Sequence, residues 1–158
     1  MVARQSQRCG QARPWHGSVS AGGYHDTLLE HYRNPRHFGE LCTDDFVEIR
    51  NPLCGDVVQL TGEVDSEQLR NLRFNGKGCA ICTASASLMC SALQDVAVTE
   101  AKASAATLIA AVESRDPPAG PAALAELACL LTVRDFPMRL KCATLPWTAL
   151  EKLLAQGE

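Results

Sequence analysis

The chain changes its hydrophobic periodicity once, at residues 76–78, which read Gly-Lys-Gly. Before this point, short apolar runs predict strands at 46–49, 57–60 and 69–74, with residues 61–68 as a polar connector. After it, segments rich in alanine and leucine predict helices, separated by proline and glycine. Strands followed by helices predict an α+β domain, with a small antiparallel sheet of about three strands packed against several helices.

Prolines set the predicted limits of the first and last helices. The first helix begins near Tyr24, with Asp26 as its N-cap, and ends at Asn34 because the residue before a proline avoids the α region. Pro146 is tolerated only in a first helical turn, so the last helix is predicted to begin between residues 142 and 145. Further helices are predicted at 79–93, at 99–113 and from Pro121 onward.

Length and composition limit the class of protein. A chain of 158 residues supports one domain, predicted here at 23–158, after an N-terminal extension at 1–22 that we expect to be disordered. A formal net charge of −3 gives no indication of nucleic-acid binding. No apolar run reaches the roughly 20 residues of a membrane span, and the start lacks the apolar core of a secretory signal. We therefore expect a cytoplasmic protein without nucleic-acid or membrane partners.

Eight cysteines are many for a chain without a secretory signal, so metal binding or thiol chemistry is a better explanation than disulfides. Cys54 shares a glycine turn with Asp56, and residues i and i+2 of an extended segment point the same way. Cys79 and Cys142 open predicted helices, where the helix dipole favours the thiolate form. Three thiolates and one carboxylate are a set that suits zinc, or iron with sulfide.

The same cysteines allow two other interpretations. Cys79 and Cys82 form a C-x-x-C motif between a predicted strand and a predicted helix, which is the local arrangement of a thioredoxin-type dithiol oxidoreductase. Against this interpretation, a thioredoxin fold needs further strands after the motif, whereas the sequence predicts mainly helices. In the other interpretation, the zinc site only holds the fold together. Outside the dithiol interpretation, Cys82 is a core residue or a residue near the site.

Four segments, considered together and in this order, resemble the IscU/SufU family of iron–sulfur cluster assembly proteins. The resemblance covers the chain from about residue 24 onward. The segments are YHDTLLEHYRNPRHFG at 24–39, NPLCGD at 51–56, GKGCAICTASASLM at 76–89 and RLKCATLPW at 139–147.

The resemblance implies a SufE/IscU-like fold and metal ligands at Cys54, Asp56, Cys79 and Cys142. It also implies a function. Members of the family receive persulfide sulfur from a PLP-dependent cysteine desulfurase and assemble, or help to supply, iron–sulfur clusters for other proteins. Such a protein is a scaffold or sulfur relay with sulfurtransferase-like chemistry rather than a conventional enzyme.

Two departures from the IscU pattern make the SufU branch the closer resemblance. Lys141 stands where IscU-type scaffolds have a histidine before the third cysteine, and CATLPW does not match their LPPVK motif. The segment at 114–121 also fits the extra length of SufU-type proteins. This branch implies bound Zn²⁺, with a labile [2Fe–2S] cluster as the alternative. The implied partners are a SufS-type desulfurase and then SufBCD-type machinery or apo iron–sulfur proteins.

Within this set of residues, we expect Cys54 to be the thiol that accepts sulfur, because it lies on a turn rather than at a helix end. Its thiolate attacks the persulfide of the partner, as in thiol–disulfide exchange. Arg139 and Lys141 flank Cys142, where they either offset the negative charge of the site or remain plain solvated cations.

Overall fold

The computed structural model describes residues 24–114 and 126–157, and these form an α+β fold. One helix precedes three strands of a four-stranded sheet, and the fourth strand lies between two of the helices that follow, so the predicted fold class is confirmed. The predictions for residues 1–22 and 115–125 lie outside the described residues. In chain order the elements are α1 (Tyr24–Arg33), β1 (Val47–Arg50), β2 (Val57–Asp65), β3 (Gln68–Lys77), α2 (Ala80–Leu93), β4 (Val96–Ala97), α3 (Val98–Glu113), a 3₁₀ helix (Glu126–Asp135) and α4 (Pro137–Gln156).

The sheet is entirely antiparallel, in the order β1-β2-β3-β4. The predicted polar connector at 61–68 is wrong, because β2 and β3 form one long hairpin in which Asp65 pairs with Gln68. Only Ser66 and Glu67 turn the chain, with φ angles of 51° and 65°, which is the backbone of a type I′ turn. The sequence lacks the Asn-Gly or Asp-Gly pair that marks such turns, and this explains why the hairpin was not predicted.

The start of the N-terminal helix and the number of strands differ from the predictions. α1 ends at Arg33 as expected, but Asp26 lies within its first turn rather than at its N-cap. The sheet has four strands instead of about three, because the two residues of β4 pair with Gln68 and Leu69. A strand of two residues carries no readable alternation, so the sequence gives no signal for it.

The helix α2 is at the centre of the core. It packs against α1, α4 and β3, while α4 also covers β1 and β2. The middle of α2 is almost entirely buried, and the small residues of α2 allow the neighbouring helices to approach closely. In the described part of the chain, no helix is long and apolar enough to cross a membrane. The largest fully buried side chains include Leu60, Leu69, Leu72, Met89, Leu93, Leu108, Trp147 and Leu150.

The last helix corrects the prediction that it begins between residues 142 and 145. α4 begins at Pro137, which occupies the first turn, and Pro146 lies inside the helix. Because proline has no N–H, α4 lacks the hydrogen bond that residue 146 would give to the carbonyl of Cys142. Cys142 is therefore more than one turn inside the helix and not at its N-terminus.

The third predicted helix is described only in part. Residues 126–135 form a 3₁₀ helix rather than the α-helix that their composition favours. Its Leu127, Cys129 and Leu130 are buried in the core, so its apolar side chains still face inward. The portion of that prediction before residue 126 lies outside the described residues.

A buried polar contact joins the first helix to α2. His31 Nδ1 lies 2.7 Å from Ser87 Oγ, and the same oxygen accepts a hydrogen bond of 2.8 Å from the backbone N–H of Arg36. A neutral His31 with an unprotonated Nδ1 accepts the hydroxyl hydrogen of Ser87. Burial, followed by the charge of Arg36, lowers the pKa of His31 to about 4, in agreement with this arrangement.

Candidate metal centre

A tight turn between β1 and β2 presents Cys54 and Asp56. The N–H of Asn51 donates to the carbonyl of Asp56 at 2.8 Å, and the N–H of Gly55 donates to the carbonyl of Asn51 at 2.8 Å. The Asn51 side chain also accepts from the N–H of Leu53 at 3.1 Å. Gly55 has a φ of 75°, which glycine adopts without strain. Cys54 is exposed on this turn, whereas Asp56 is buried.

The turn brings Cys54 and Asp56 to α4. The ligand atoms of Cys54, Asp56 and Cys142 all lie within 4.8 Å of one another, and the two sulfur atoms are 3.8 Å apart. Cys54 and Cys142 are 88 positions apart in the sequence, so the fold alone creates this proximity.

Cys79 reaches the same place from the start of α2. It is the N-cap residue, with φ −67° and ψ 170°, and it is partly exposed. Its backbone N–H donates to Asp56 Oδ1 at 3.1 Å. The sulfur of Cys79 is not within the 4.8 Å group of the other three, although it is a close neighbour of Cys142. The expected helix N-terminus is therefore present at Cys79 but not at Cys142.

The chemistry of these side chains fits a soft or borderline metal ion. Asp56 is only 5% exposed, and in the described part of the chain its Oδ2 has no hydrogen-bond partner of ordinary geometry. A buried carboxylate oxygen without a partner costs free energy unless a cation or donor satisfies it. Thiolates with one carboxylate are a set that zinc and iron accept.

The surroundings of Cys142 favour its protonated thiol form. Burial raises the pKa of its thiol well above the ordinary value, and the neighbouring Cys79, Asp56 and Cys54 raise it further. A metal ion that binds here must displace this proton, so binding should be stronger at higher pH.

Ser85 and Trp147 fix the position of Cys142, and sequence reasoning missed both residues. Ser85 Oγ donates to the carbonyl of Ala143 at 2.6 Å and accepts from Trp147 Nε1 at 3.0 Å. The serine is on α2, and the other two are on α4, so this contact locks the two helices together next to the site. A tryptophan in an apolar helix was a usable signal, because its buried N–H needs an acceptor.

The remaining predicted residues do not join the group. Cys82 is buried in the first turn of α2, and burial raises the pKa of its thiol. Lys141 is exposed, and its Nζ lies 3.3 Å from Glu113 Oε1 on α3, so the two side chains form an ion pair. Arg139 is exposed on α4. Their influence on the charge of the site stays a prediction.

The fold and this group of thiols and a carboxylate define an α+β protein with a candidate metal centre. Residues 23–143 match the family model of the NifU-like N-terminal domain, and the chain belongs to that family, which confirms the predicted IscU/SufU relationship.

Known proteins support the same assignment. The chain is 37% identical over 134 residues to the iron–sulfur cluster assembly scaffold protein IscU of Streptococcus pyogenes serotype M1, with 85% of this chain and 84% of that protein covered. It is 35% identical over 135 residues to the zinc-dependent sulfurtransferase SufU of Bacillus subtilis strain 168, covering 85% and 91%. A crystallised hypothetical protein has a TM-score of 0.76 at 36% identity, covering 84% of this chain and 96% of that one.

The chain has nearly the same sequence identity to the IscU relative and to the SufU relative. Sequence identity therefore does not single out the SufU branch that Lys141 predicts.

Proposed function

We propose that this protein accepts persulfide sulfur from a cysteine desulfurase during iron–sulfur cluster assembly. Cys54, Asp56, Cys79 and Cys142 hold a zinc ion, and Cys54 is the acceptor thiol. The observation that carries the proposal is the convergence of Cys54, Asp56 and Cys142 within 4.8 Å from two separate elements. The Bacillus relative is named as a zinc-dependent sulfurtransferase, which supports the same chemistry here.

Exposure divides the roles of Cys54, Asp56 and Cys142. Cys54 is exposed on a turn, whereas Cys142 is 2% exposed on α4 and Asp56 is buried. Only a thiol that a partner can reach can exchange sulfur with it, because the reaction needs the two sulfur atoms in contact. Asp56 orients the start of α2 through its hydrogen bond with the N–H of Cys79.

The transfer itself is a thiol–persulfide exchange. The Cys54 thiolate attacks the outer sulfur of the persulfide on the desulfurase and forms a new sulfur–sulfur bond. The original bond breaks, and its electron pair leaves with the cysteine thiolate of the desulfurase. A bound zinc ion would keep the thiols of the site in the thiolate form at neutral pH.

The proposed partners follow from the class of sulfur donor. The donor is a PLP-dependent cysteine desulfurase of the SufS type, and the recipients are SufBCD-type machinery or apo iron–sulfur proteins. Leu53 next to the acceptor thiol and Met138 one turn before Cys142 are 81% and 80% exposed, so apolar surface is available beside the site for a protein contact.

A single substitution tests the acceptor. Cys54→Ala should abolish the stimulation of sulfide release by a SufS-type desulfurase, while the chain stays folded because Cys54 is exposed. Cys90→Ala, which removes a buried thiol from the middle of α2, is the matched control and should retain stimulation. Equal stimulation by the Cys54→Ala chain and the wild type would exclude Cys54 as the acceptor.

A scaffold for a labile [2Fe–2S] cluster is the second candidate function. It is favoured by the similarity to the Streptococcus scaffold protein and by the same thiol-rich donor set. Anaerobic reconstitution with iron and sulfide should then give visible absorbance and transfer to an apo-ferredoxin. Desulfurase stimulation by the zinc form without any such transfer would favour the sulfur relay instead.

A further inference from the structure

Cys82 is the cysteine of the C-x-x-C motif at 79–82 that has no role in the proposed function. Cys79 is the N-cap of α2, and Cys82 is the third residue of the helix. The N–H of Thr83 donates to the carbonyl of Cys79 at 3.0 Å, so the first turn closes over the pair. Helix geometry places Cα atoms three residues apart at about 5 Å. A disulfide requires roughly 4.4–6.8 Å, so the two cysteines are within bonding range.

The two thiols have unequal environments, as in a reactive dithiol. Cys79 is partly exposed at the site, whereas Cys82 is only 2% exposed. Of these two thiols, an oxidant from solvent therefore reaches Cys79 before Cys82, and the Cys82 thiol stays protected until the sulfur of Cys79 becomes electrophilic.

Gly78 packs tightly between Cys82 and Asp56. A Cβ atom at this position would lie 3.1 Å from both Cβ and Sγ of Cys82 and 3.6 Å from Cγ of Asp56. The sulfur of Cys82 and the carboxylate of Asp56 therefore both lie next to Gly78. Asp56 Oδ2 is buried there without a partner of ordinary geometry in residues 24–114 and 126–157. Cys82 thus belongs to the buried core but lies directly behind the site.

We propose that Cys79 and Cys82 form a redox-active dithiol whose disulfide withdraws Cys79 from the metal centre. A peroxide oxidises the Cys79 thiol to a sulfenic acid and is itself reduced to water. The sulfur of Cys82 then attacks the sulfenic sulfur, the sulfur–oxygen bond breaks, and the hydroxyl leaves as water with the proton of Cys82. In total, two thiols lose two electrons and two protons, and a small dithiol reductant reverses the change.

Metal binding and disulfide formation compete for the same sulfur atom. A sulfur atom within a disulfide is not a thiolate ligand, so the oxidised site retains only three of its four proposed donors. The competition rests on the proposed role of Cys79 as a ligand, whereas formation of the disulfide does not. A chain that forms the disulfide but takes no sulfur from a desulfurase would keep this inference and lose the proposed function.

The test is oxidation of the full chain with hydrogen peroxide, in metal-free and zinc-loaded forms, followed by alkylation and peptide mass spectrometry. Cleavage after Lys77 and Lys102 releases one peptide that contains Cys79, Cys82 and Cys90. In the metal-free chain we expect a Cys79–Cys82 disulfide with Cys90 alkylated. The zinc-loaded chain should form it more slowly and release zinc as it forms, and dithiothreitol should restore zinc binding.

Two conservative variants make the test decisive. Cys82→Ser should lose the disulfide and the reversibility, because the Cys79 sulfenic acid then proceeds to higher oxidation states. Cys90→Ser, a buried change on the same helix, should behave like the wild type. A Cys54–Cys142 disulfide with Cys79 left reduced, or an unchanged zinc release and recovery in Cys82→Ser, would overturn the proposal.

Discussion

The candidate metal centre joins two regions of opposite character, the turn at 51–56 and the contact between α2 and α4. The turn is held mainly by its own backbone hydrogen bonds, and Cys54 on it is exposed. The contact between α2 and α4 is buried and is held by Ser85, which bonds to both Trp147 and Ala143. Two elements with such different packing give the site one accessible thiol and one fixed thiol.

This difference is the physical basis of the proposed division of labour. A ligand on a surface turn moves at little cost, because few buried contacts are broken when it leaves. A ligand inside a packed helix stays in place, since its movement would disturb the core. Substitutions in the buried contact should therefore have larger effects than substitutions on the surface.

Ser85→Ala should have the largest effect. It leaves the Trp147 N–H and the Ala143 carbonyl without their partner, so unfolding should cost about 3 kcal/mol less in a urea titration. Zinc affinity in a chelator competition should fall about tenfold, since Cys142 loses its support. Ser104→Ala is the control, because the Ser104 hydroxyl is equally buried but has no hydrogen-bond partner among the described residues. Equal losses in both variants would show that Ser85 has no specific role.

The pH dependence of stability should reveal the second buried contact, between α1 and α2. The folded chain lowers the pKa of His31 from 6.5 to about 4, so the unfolded chain takes up the proton first as pH falls. The stabilisation that neutral His31 provides, on the order of 2 kcal/mol, is therefore fully present above about pH 6.5. It is lost as the pH falls toward about 4. His31→Gln should show a flatter decrease than the wild type between pH 6.5 and 4.5, and identical slopes would contradict this role.

Gly55→Ala should affect the turn and leave the buried contact intact. A Cβ atom there meets no atom within 4 Å, so the cost comes from its φ of 75° alone, about 1 kcal/mol. The strain should weaken zinc binding, because Cys54 and Asp56 flank this residue. The tryptophan fluorescence of the metal-free folded chain should not change. A changed spectrum would mean that the turn and the α2–α4 contact are coupled.

Lys141→Gln should have the smallest effect. The lysine is exposed and pairs with Glu113 on the surface, an interaction worth less than about 0.5 kcal/mol. Glu113→Gln removes the same ion pair from the other side and should cost equally little. A much larger loss of zinc affinity in Lys141→Gln than in Glu113→Gln would support the predicted influence of Lys141 on the charge of the site.

The sequence predicted the regions of the site that depend on local rules. The turn before β2 and the N-cap position of Cys79 follow from glycine positions and from the change of periodicity. The predicted helix start at Cys142 is wrong, because Pro137 begins α4 and the helix continues through Pro146 without its hydrogen bond. The role of Ser85 was missed because it depends on contacts across 58 and 62 positions of the chain, which no local pattern encodes.

The most direct test of the central claim is zinc X-ray absorption spectroscopy on the purified full chain. Ligation by Cys54, Asp56, Cys79 and Cys142 predicts three sulfur atoms at about 2.3 Å and one oxygen atom at about 2.0–2.2 Å. In Asp56→Ala the oxygen should change or disappear while the three sulfur atoms remain. A shell of four sulfur atoms in the wild type, or a shell with two or fewer, would contradict this assignment.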